Sequence, residues 1–370
     1  MDQQAEALRQ SLSEAGPNAW VELDRALAEE ALARHEAMLA GIEAYRRHPY
    51  ARTLPEAPVL WREGTTVLRD YRTGSGASSE DGLPVLVIPS LVNRAYILDL
   101  TARRSLLRDL AARGLAPFLV DWDAPGAEES GFSLDDYMAR LERALAVVVA
   151  ATGRKPAVLG YCMGGNLALA LACLRPQEVA ALALLATPWD FHAGRAGQVV
   201  LLRALAPGLA ALTERLGTLP VDMLQAMFAS LDPNLAARKF AAFARLKRRS
   251  ARARDFVALE DWANDGVALA GPVARQCLFD WYGDNTPMTG KWRVGAVPVL
   301  PRRVAVPTLV LIPGKDRIVP PESTQPLAEQ IPGARVMRVR GGHVGMLLAG
   351  RTKTEVYAPL ARWLVRAAVQ

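Results

Sequence analysis

The stretch Pro156-Ala157-Val158-Leu159-Gly160-Tyr161-Cys162-Met163-Gly164-Gly165-Asn166-Leu167-Ala168-Leu169-Ala170-Leu171-Ala172-Cys173-Leu174 decides the fold class. It opens as a short buried strand, Pro156–Gly160, and continues as an apolar helix, Met163–Leu174, with glycines crowded at the join. A strand that turns sharply into a helix, with small residues two positions either side of a nucleophile, holds that side chain on a strained elbow above a sheet. Glycine lets such a turn close without a Cβ clash. Cys162 would then stand at a helix N-terminus, whose partial positive charge favours the thiolate. The alternative is a buried small hydrophobe, the commoner fate of a cysteine. The strand–elbow–helix setting favours the nucleophile.

Strands and helices alternate on either side of this elbow. Val59–Arg62 and Thr66–Tyr71 read as short strands, and the Gly/Ser-rich Gly74–Ser79 as a turn or loose loop. Leu83–Pro89, Leu115–Trp122 and Ala180–Ala186 are continuous apolar runs of the kind buried on both faces of a sheet. Between them Ala95–Arg113 has a helical pattern stopped by Gly114. Ser133 and Asp136 make a capping-box start for a helix through Ala151. From Thr187 to Val306 helical patterns dominate, as in Val199–Leu216 and Val221–Phe243. Alternation returns with Pro307–Pro313, Arg335–Val339 and a terminal helix from about Thr354 to Val369. This predicts an α/β fold: a mostly parallel sheet with helices on both faces and a helical cap insertion. The expected divisions are 1–57 (helical, ended near His48-Pro49), 58–186, the insertion 187–306, and 307–370.

Composition narrows the class. Of 370 residues, 51% are hydrophobic and 22% charged, which suits a large core and excludes intrinsic disorder. The net charge of +6 is mildly basic and fits an anionic substrate or surface as well as it fits nucleic acid. Cys162, Cys173 and Cys277 form no C-x-x-C pair, and His35, His48, His192 and His343 form no H-E-x-x-H, so no metal site is expected. The polar start MDQQAEALRQ does not read as a signal peptide, and no apolar run reaches the ~18 residues of a membrane span. A cytoplasmic protein is expected.

A nucleophile on such an elbow needs an acid and a base that follow it in the chain. Asp316 lies in the loop after Pro307–Pro313, and His343 in the loop after Arg335–Val339. Both are just past the carboxyl ends of strands, where open α/β sheets place their sites. Asp316 could instead pair with Arg317, and His343 could be an ordinary loop residue. Asp190 and His192 form the rival acid–base pair; His35 and His48 read as solvated. An oxyanion hole needs two backbone N–H groups. Met163 is expected to supply one and Val92, in the loop Ser90-Leu91-Val92-Asn93, the other. Asn93 is as consistent with a turn as with a direct role.

The run Ile88–Leu100, Asp121-Trp122, Ser133-Leu134-Asp135-Asp136-Tyr137, the cysteine box, Thr187-Pro188-Trp189-Asp190-Phe191, the Asp316 loop and Gly341-Gly342-His343-Val344-Gly345 together resemble the polyhydroxyalkanoate synthases. The resemblance covers most of residues 58–370 and is weakest in the insertion. It implies an α/β-hydrolase fold and an acyltransferase. In that family a cysteine takes the acyl group from a 3-hydroxyacyl-CoA, a histidine activates the thiol and an aspartate supports attack by the hydroxyl. Residue by residue these would be Cys162, His343 and Asp316, with the insertion as a cap over the site. The length is most similar to that of synthases acting with a helper subunit. The expected partners are thus hydroxyacyl-CoA, the polyester chain, a helper subunit and a second copy of the chain. No bound cofactor is expected, and the polyester granule surface is an expected location.

One basic stretch, Lys247-Arg248-Arg249-Ser250-Ala251-Arg252-Ala253-Arg254, stands apart from the resemblance. It reads first as a solvated helix face and second as a contact for CoA phosphates or an acidic granule surface. No recognition motif or aromatic interleaving supports nucleic-acid binding. The competing activity is hydrolysis of an ester or thioester by the same triad, with water as acceptor. A non-enzymatic granule-binding or scaffold protein is the third class, and an intact triad argues against it.

Overall fold

A computed structural model describes residues 2–72, 81–194 and 196–368. The turn expected at Gly74–Ser79 lies outside the described residues. The chain packs as two compact units, Met1–Ala51 with Asp232–Ala258, and Arg52–Leu231 with Leu259–Gln370. Part of the expected insertion, Asp232–Ala258, thus belongs to the same unit as the N-terminal helices.

In the first unit, α1 (Asp2–Ala15) and α2 (Pro17–Arg46) are separated at Gly16, whose φ of 89° no helix accommodates. The next helices are α3 (Leu106–Ala112), α4 (Leu134–Thr152), α5 (Met163–Leu174), α6 (Ala196–Leu216), α7 (Val221–Ser230), α8 (Leu235–Ala244) and α9 (Ala251–Asn264). Within the first unit α8 lies along α2, so close that a Cβ on Gly41 would sit 2.0 Å from the Phe240 carbonyl oxygen. Phe243 stacks on Phe256 at 4.3 Å, over Ala253 and Val257. His48, expected to be solvated, is half-buried with its ring 2.8 Å from the Arg248 carbonyl oxygen. Lys247, Arg248, Arg249, Arg252 and Arg254 are exposed.

The second unit is built on an eight-stranded sheet. Its strands are β1 (Val59–Glu63), β2 (Thr66–Asp70), β3 (Pro84–Ile88), β4 (Ala116–Asp121), β5 (Ala157–Tyr161), β6 (Ala181–Leu185), β7 (Thr308–Pro313) and β8 (Arg335–Val339). They lie in the order β1-β2-β4-β3-β5-β6-β7-β8. From β4 to β8 every neighbouring pair is parallel, and only β1–β2 and β2–β4 are antiparallel. Every residue of β3, β5, β6 and β7 is buried, as continuous apolar runs require. α3 packs against β4, and α4 and α5 against the buried central strands, as do α10 (Pro321–Gln330), which follows β7, and α11 (Ala358–Ala367) at the end of the described chain. Among the described residues no helix is long and apolar enough to cross a membrane.

Two expected helices are shorter than their patterns suggested. Ala95–Arg113 is helical only over Leu106–Ala112, preceded by a turn at Ala95–Leu98 and a small hairpin, Asp99–Thr101 with Arg104–Ser105. Buried Asp99 draws the segment into this shape, accepting hydrogen bonds from the Arg108 side chain at 2.8 and 3.0 Å and from the Tyr71 hydroxyl at 3.1 Å. Ser105 then caps α3 by accepting from the Arg108 N–H at 3.0 Å. Val221–Phe243 breaks at Leu231–Asn234 because Pro233 disfavours helix at the residue before it. The capping box at Ser133–Asp136 forms as expected, and Gly153 ends α4 with φ 66°.

Candidate active site

Cys162 occupies the tip of the turn from β5 into α5, with φ 55° and ψ −129°. Few non-glycine residues tolerate that backbone, and it persists only where the surroundings over-determine it. Here they do. The Cys162 N–H donates to the Leu185 carbonyl at 2.9 Å, and the Gly165 N–H donates to the Cys162 carbonyl at 2.8 Å. The flanking glycines are demanded by close approach. A Cβ would lie 2.5 Å from the Gly164 oxygen at Gly160, 2.2 Å from the Ile88 oxygen at Gly164, and 1.9 Å from Thr187 Oγ1 at Gly165.

Asp316 and His343 leave the carboxyl ends of β7 and β8, and two backbone bonds tie their loops together. The Gly314 N–H donates to the Val339 carbonyl and the Lys315 N–H to the Gly341 carbonyl, each at 2.9 Å. His343 Nδ1 lies 2.7 Å from Asp316 Oδ2. The other carboxylate oxygen accepts from the Ile318 and Val319 N–H groups, each at 2.8 Å. Both oxygens of Asp316 are therefore engaged, one by the imidazole and one by the backbone.

His343 is buried, which by itself disfavours a charged ring. Against that burial, the negative charge at Cys162 and hydrogen bonds with Asp316 and Cys162 carry the imidazole from its ordinary 6.5 up to about 10. The thiol thus lies within reach of the ring. With Nδ1 held by Asp316, Nε2 is left to face the sulfur. Burial raises the Cys173 thiol and pushes that of Cys277 up to about 12.

The rival pair does not assemble as an acid–base unit. Asp190 Oδ1 accepts from the backbone N–H groups of His192 and Ala193 and from Asn285 Nδ2. The His192 ring instead lies 2.9 Å from the Tyr282 carbonyl oxygen.

Met163 is the first residue of α5, so its N–H has no intrahelical acceptor and lies directly after the cysteine. Val92 lies in the loop after β3, where its N–H already donates to the Ser90 hydroxyl at 3.0 Å. It could meet an oxyanion only by sharing or exchanging that bond. Asn93 adopts φ 68°, the left-handed conformation of a turn.

Tyr161 went unread in the sequence. Its ring packs 5.1 Å from that of His343, and its hydroxyl donates to the His343 carbonyl at 3.3 Å. Burial, then the charges at Cys162 and Asp316, hold its phenol well above the ordinary value, so it remains a donor. Its place beside Cys162 was the only available signal.

A family model described as the alpha/beta hydrolase fold matches residues 84–349. The poly(3-hydroxyalkanoate) polymerase subunit PhaC of Synechocystis sp. is 30% identical over 317 residues, spanning 82% of this chain and 83% of the relative. This chain belongs to the poly(3-hydroxyalkanoate) polymerase family of α/β-hydrolase-fold proteins. The subunit of the same name from Haloferax mediterranei is 28% identical over 82% of this chain, but the match spans only 63% of that longer protein. Among solved structures, a thermophilic esterase from Thermogutta terrifontis superimposes with a TM-score of 0.52 at 16% identity, covering 85% of this chain and 100% of the esterase. That likeness bears on the fold alone.

Proposed function

We propose that this chain is an acyltransferase that takes a 3-hydroxyacyl group from CoA onto Cys162 and passes it to the hydroxyl of a growing polyester. The observation that carries this reading is the junction of Cys162, His343 and Asp316 at the ends of three strands in a member of this family.

In the first half-reaction the Cys162 proton passes to His343 Nε2, and the sulfur attacks the thioester carbonyl of the acyl-CoA. Negative charge on the carbonyl oxygen is met by the Met163 N–H, joined by that of Val92 if it leaves Ser90. Collapse breaks the bond to the CoA sulfur, which departs with the proton held by His343. In the second half, His343 takes the proton of an incoming hydroxyl, and the oxygen attacks the Cys162 thioester. An ester forms, and the sulfur leaves and recovers the proton. Asp316 keeps the ring oriented and stabilises its charge throughout, so Asp316→Asn slows both halves. No cofactor enters these steps. Exchange between two thioesters is close to isoenergetic, which suits a cysteine nucleophile.

A helical insertion over the acyl group would favour a tethered hydroxyl over water. The polymer surface in the cytoplasm is the proposed place of work, and a helper subunit the proposed partner. The test supplies 3-hydroxybutyryl-CoA to the chain, alone and with the helper subunit of a relative. CoA release with insoluble polymer in either condition is expected. Release with only monomeric acid in both would identify a thioesterase instead.

A further inference from the structure

The insertion meets the loop beside the nucleophile at Trp262, Asp265 and Gly266, and the contacts there are specific. Trp262, in the last turn of α9, donates its indole N–H to the Arg94 carbonyl at 2.8 Å. The Arg94 guanidinium bridges two carboxylates, Asp265 just beyond α9 at 3.3 Å and Asp123 just beyond β4. The Tyr96 hydroxyl donates to the same Asp265 at 3.1 Å. Gly266 closes the contact, where a Cβ would come 3.8 Å from Asn93 Oδ1 and 2.5 Å from Val221.

Arg94 directly follows Ser90–Asn93, the loop expected to complete the oxyanion hole. The start of that loop is fixed by the Trp122 indole on the Pro89 carbonyl at 3.2 Å and by the approach of Gly164 to Ile88 and Pro89. Its far end includes Asn93 at φ 68°, the left-handed conformation that asparagine adopts in turns. Trp262 and Asp265 hold that end of the loop through Arg94.

We propose that Asp265 and Trp262 are positioning residues that act through Arg94 to hold the Ser90–Asn93 loop where its backbone can meet an oxyanion formed at Cys162. This rests on the acyl-transfer reading given above. Asp123 and Asp265 are about half exposed, at 53% and 48%, so their ion pairs contribute little to stability. Their effect is geometric. Displacing one oxyanion donor costs acyl transfer on the order of a hundredfold or more, and a partial shift correspondingly less.

The experiment compares two reactions of the same sulfur in the full chain. Acylation by 3-hydroxybutyryl-CoA, read as the first burst of CoA release, passes through an oxyanion. Alkylation by iodoacetamide, read by mass spectrometry at Cys162, displaces iodide and forms none. Asp265→Asn and Trp262→Phe are expected to slow acylation roughly tenfold to a hundredfold, to leave alkylation within about twofold of wild type, and to keep the melting temperature. Asp265→Glu should recover part of the loss. Unchanged acylation in both variants overturns the proposal, as does an equal fall in acylation and alkylation, which would mean that the elbow itself had moved. A wild-type chain that releases no CoA but cleaves p-nitrophenyl butyrate overturns the CoA reading alone, and the same ratio measured with the ester then decides the clasp.

Discussion

At His343 burial and charge pull in opposite directions, and charge prevails because Cys162 and Asp316 flank the ring. Cys162→Ala removes one flank and leaves burial opposed by Asp316 alone. The His343 pKa, followed by the proton NMR of its ring, should therefore fall in that variant from about 10; an unchanged value would mean that the sulfur does not touch the ring electrostatically. The sign for stability follows. A raised histidine pKa stabilises the fold fully below the ordinary 6.5, and this contribution is lost as pH rises through about 10. Wild type should lose more stability than Cys162→Ala between these limits. The order and strand-end placement of the three were legible in sequence: Cys162 and Asp316 follow the buried strands β5 and β7, while His343 follows β8, a largely exposed strand at the sheet edge. The bond between the Val92 N–H and Ser90 was not legible, since a serine hydroxyl two residues back can turn toward or away from the backbone.

The elbow shows how an element can demand residues against their local preference. Gly164 lies in the first turn of α5, where alanine would be the better helix former by about 1 kcal/mol. A Cβ there would nevertheless meet the Ile88 and Pro89 oxygens at 2.2 and 2.5 Å, and both are backbone atoms that cannot swing aside. Gly164→Ala should cost about 1–3 kcal/mol or more by forcing β3 and α5 apart, and should reduce Cys162 alkylation because the elbow tilts. Gly131→Ala, where a Cβ meets nothing within 4 Å, is the control. Denaturant unfolding that ranks the two variants equally would remove the steric explanation of the motif. The glycines were readable because their spacing around Cys162 is local. The Ala95–Arg113 pattern misled because helical spacing also fits a turn, a hairpin and a short helix once Asp99 is buried on Arg108 and Tyr71. The Asp99–Tyr71 contact crosses 28 residues of chain, and no window of local periodicity contains it.

Among the described residues, a large hydrophobic cluster lies within the second unit, joining the sheet to α4, α5 and α10, while a much smaller one gathers around Phe243, Ala253 and Val257 in the first unit. The alternating strand and helix pattern made the larger unit legible. Nothing local announced that Asp232–Ala258 packs with helices nearly two hundred residues earlier, as the His48–Arg248 contact across 200 residues illustrates. A small core resists less, because little apolar area is removed from water to offset the ordering of its chain. The approach of α2 to α8 at Gly41 is its tightest glycine contact, with a Cβ position 2.0 Å from the Phe240 oxygen. Gly41→Ala gains helix propensity of about 1 kcal/mol, but overpacking against backbone costs about 1–3 kcal/mol, so the balance favours loosening. Amide hydrogen exchange should then quicken in α2 and α8 while β5 keeps its protection and Cys162 keeps its alkylation rate. Unchanged exchange in α2 would show that the helices have room for a methyl group, and equal acceleration in β5 would show that both cores open as one cooperative body.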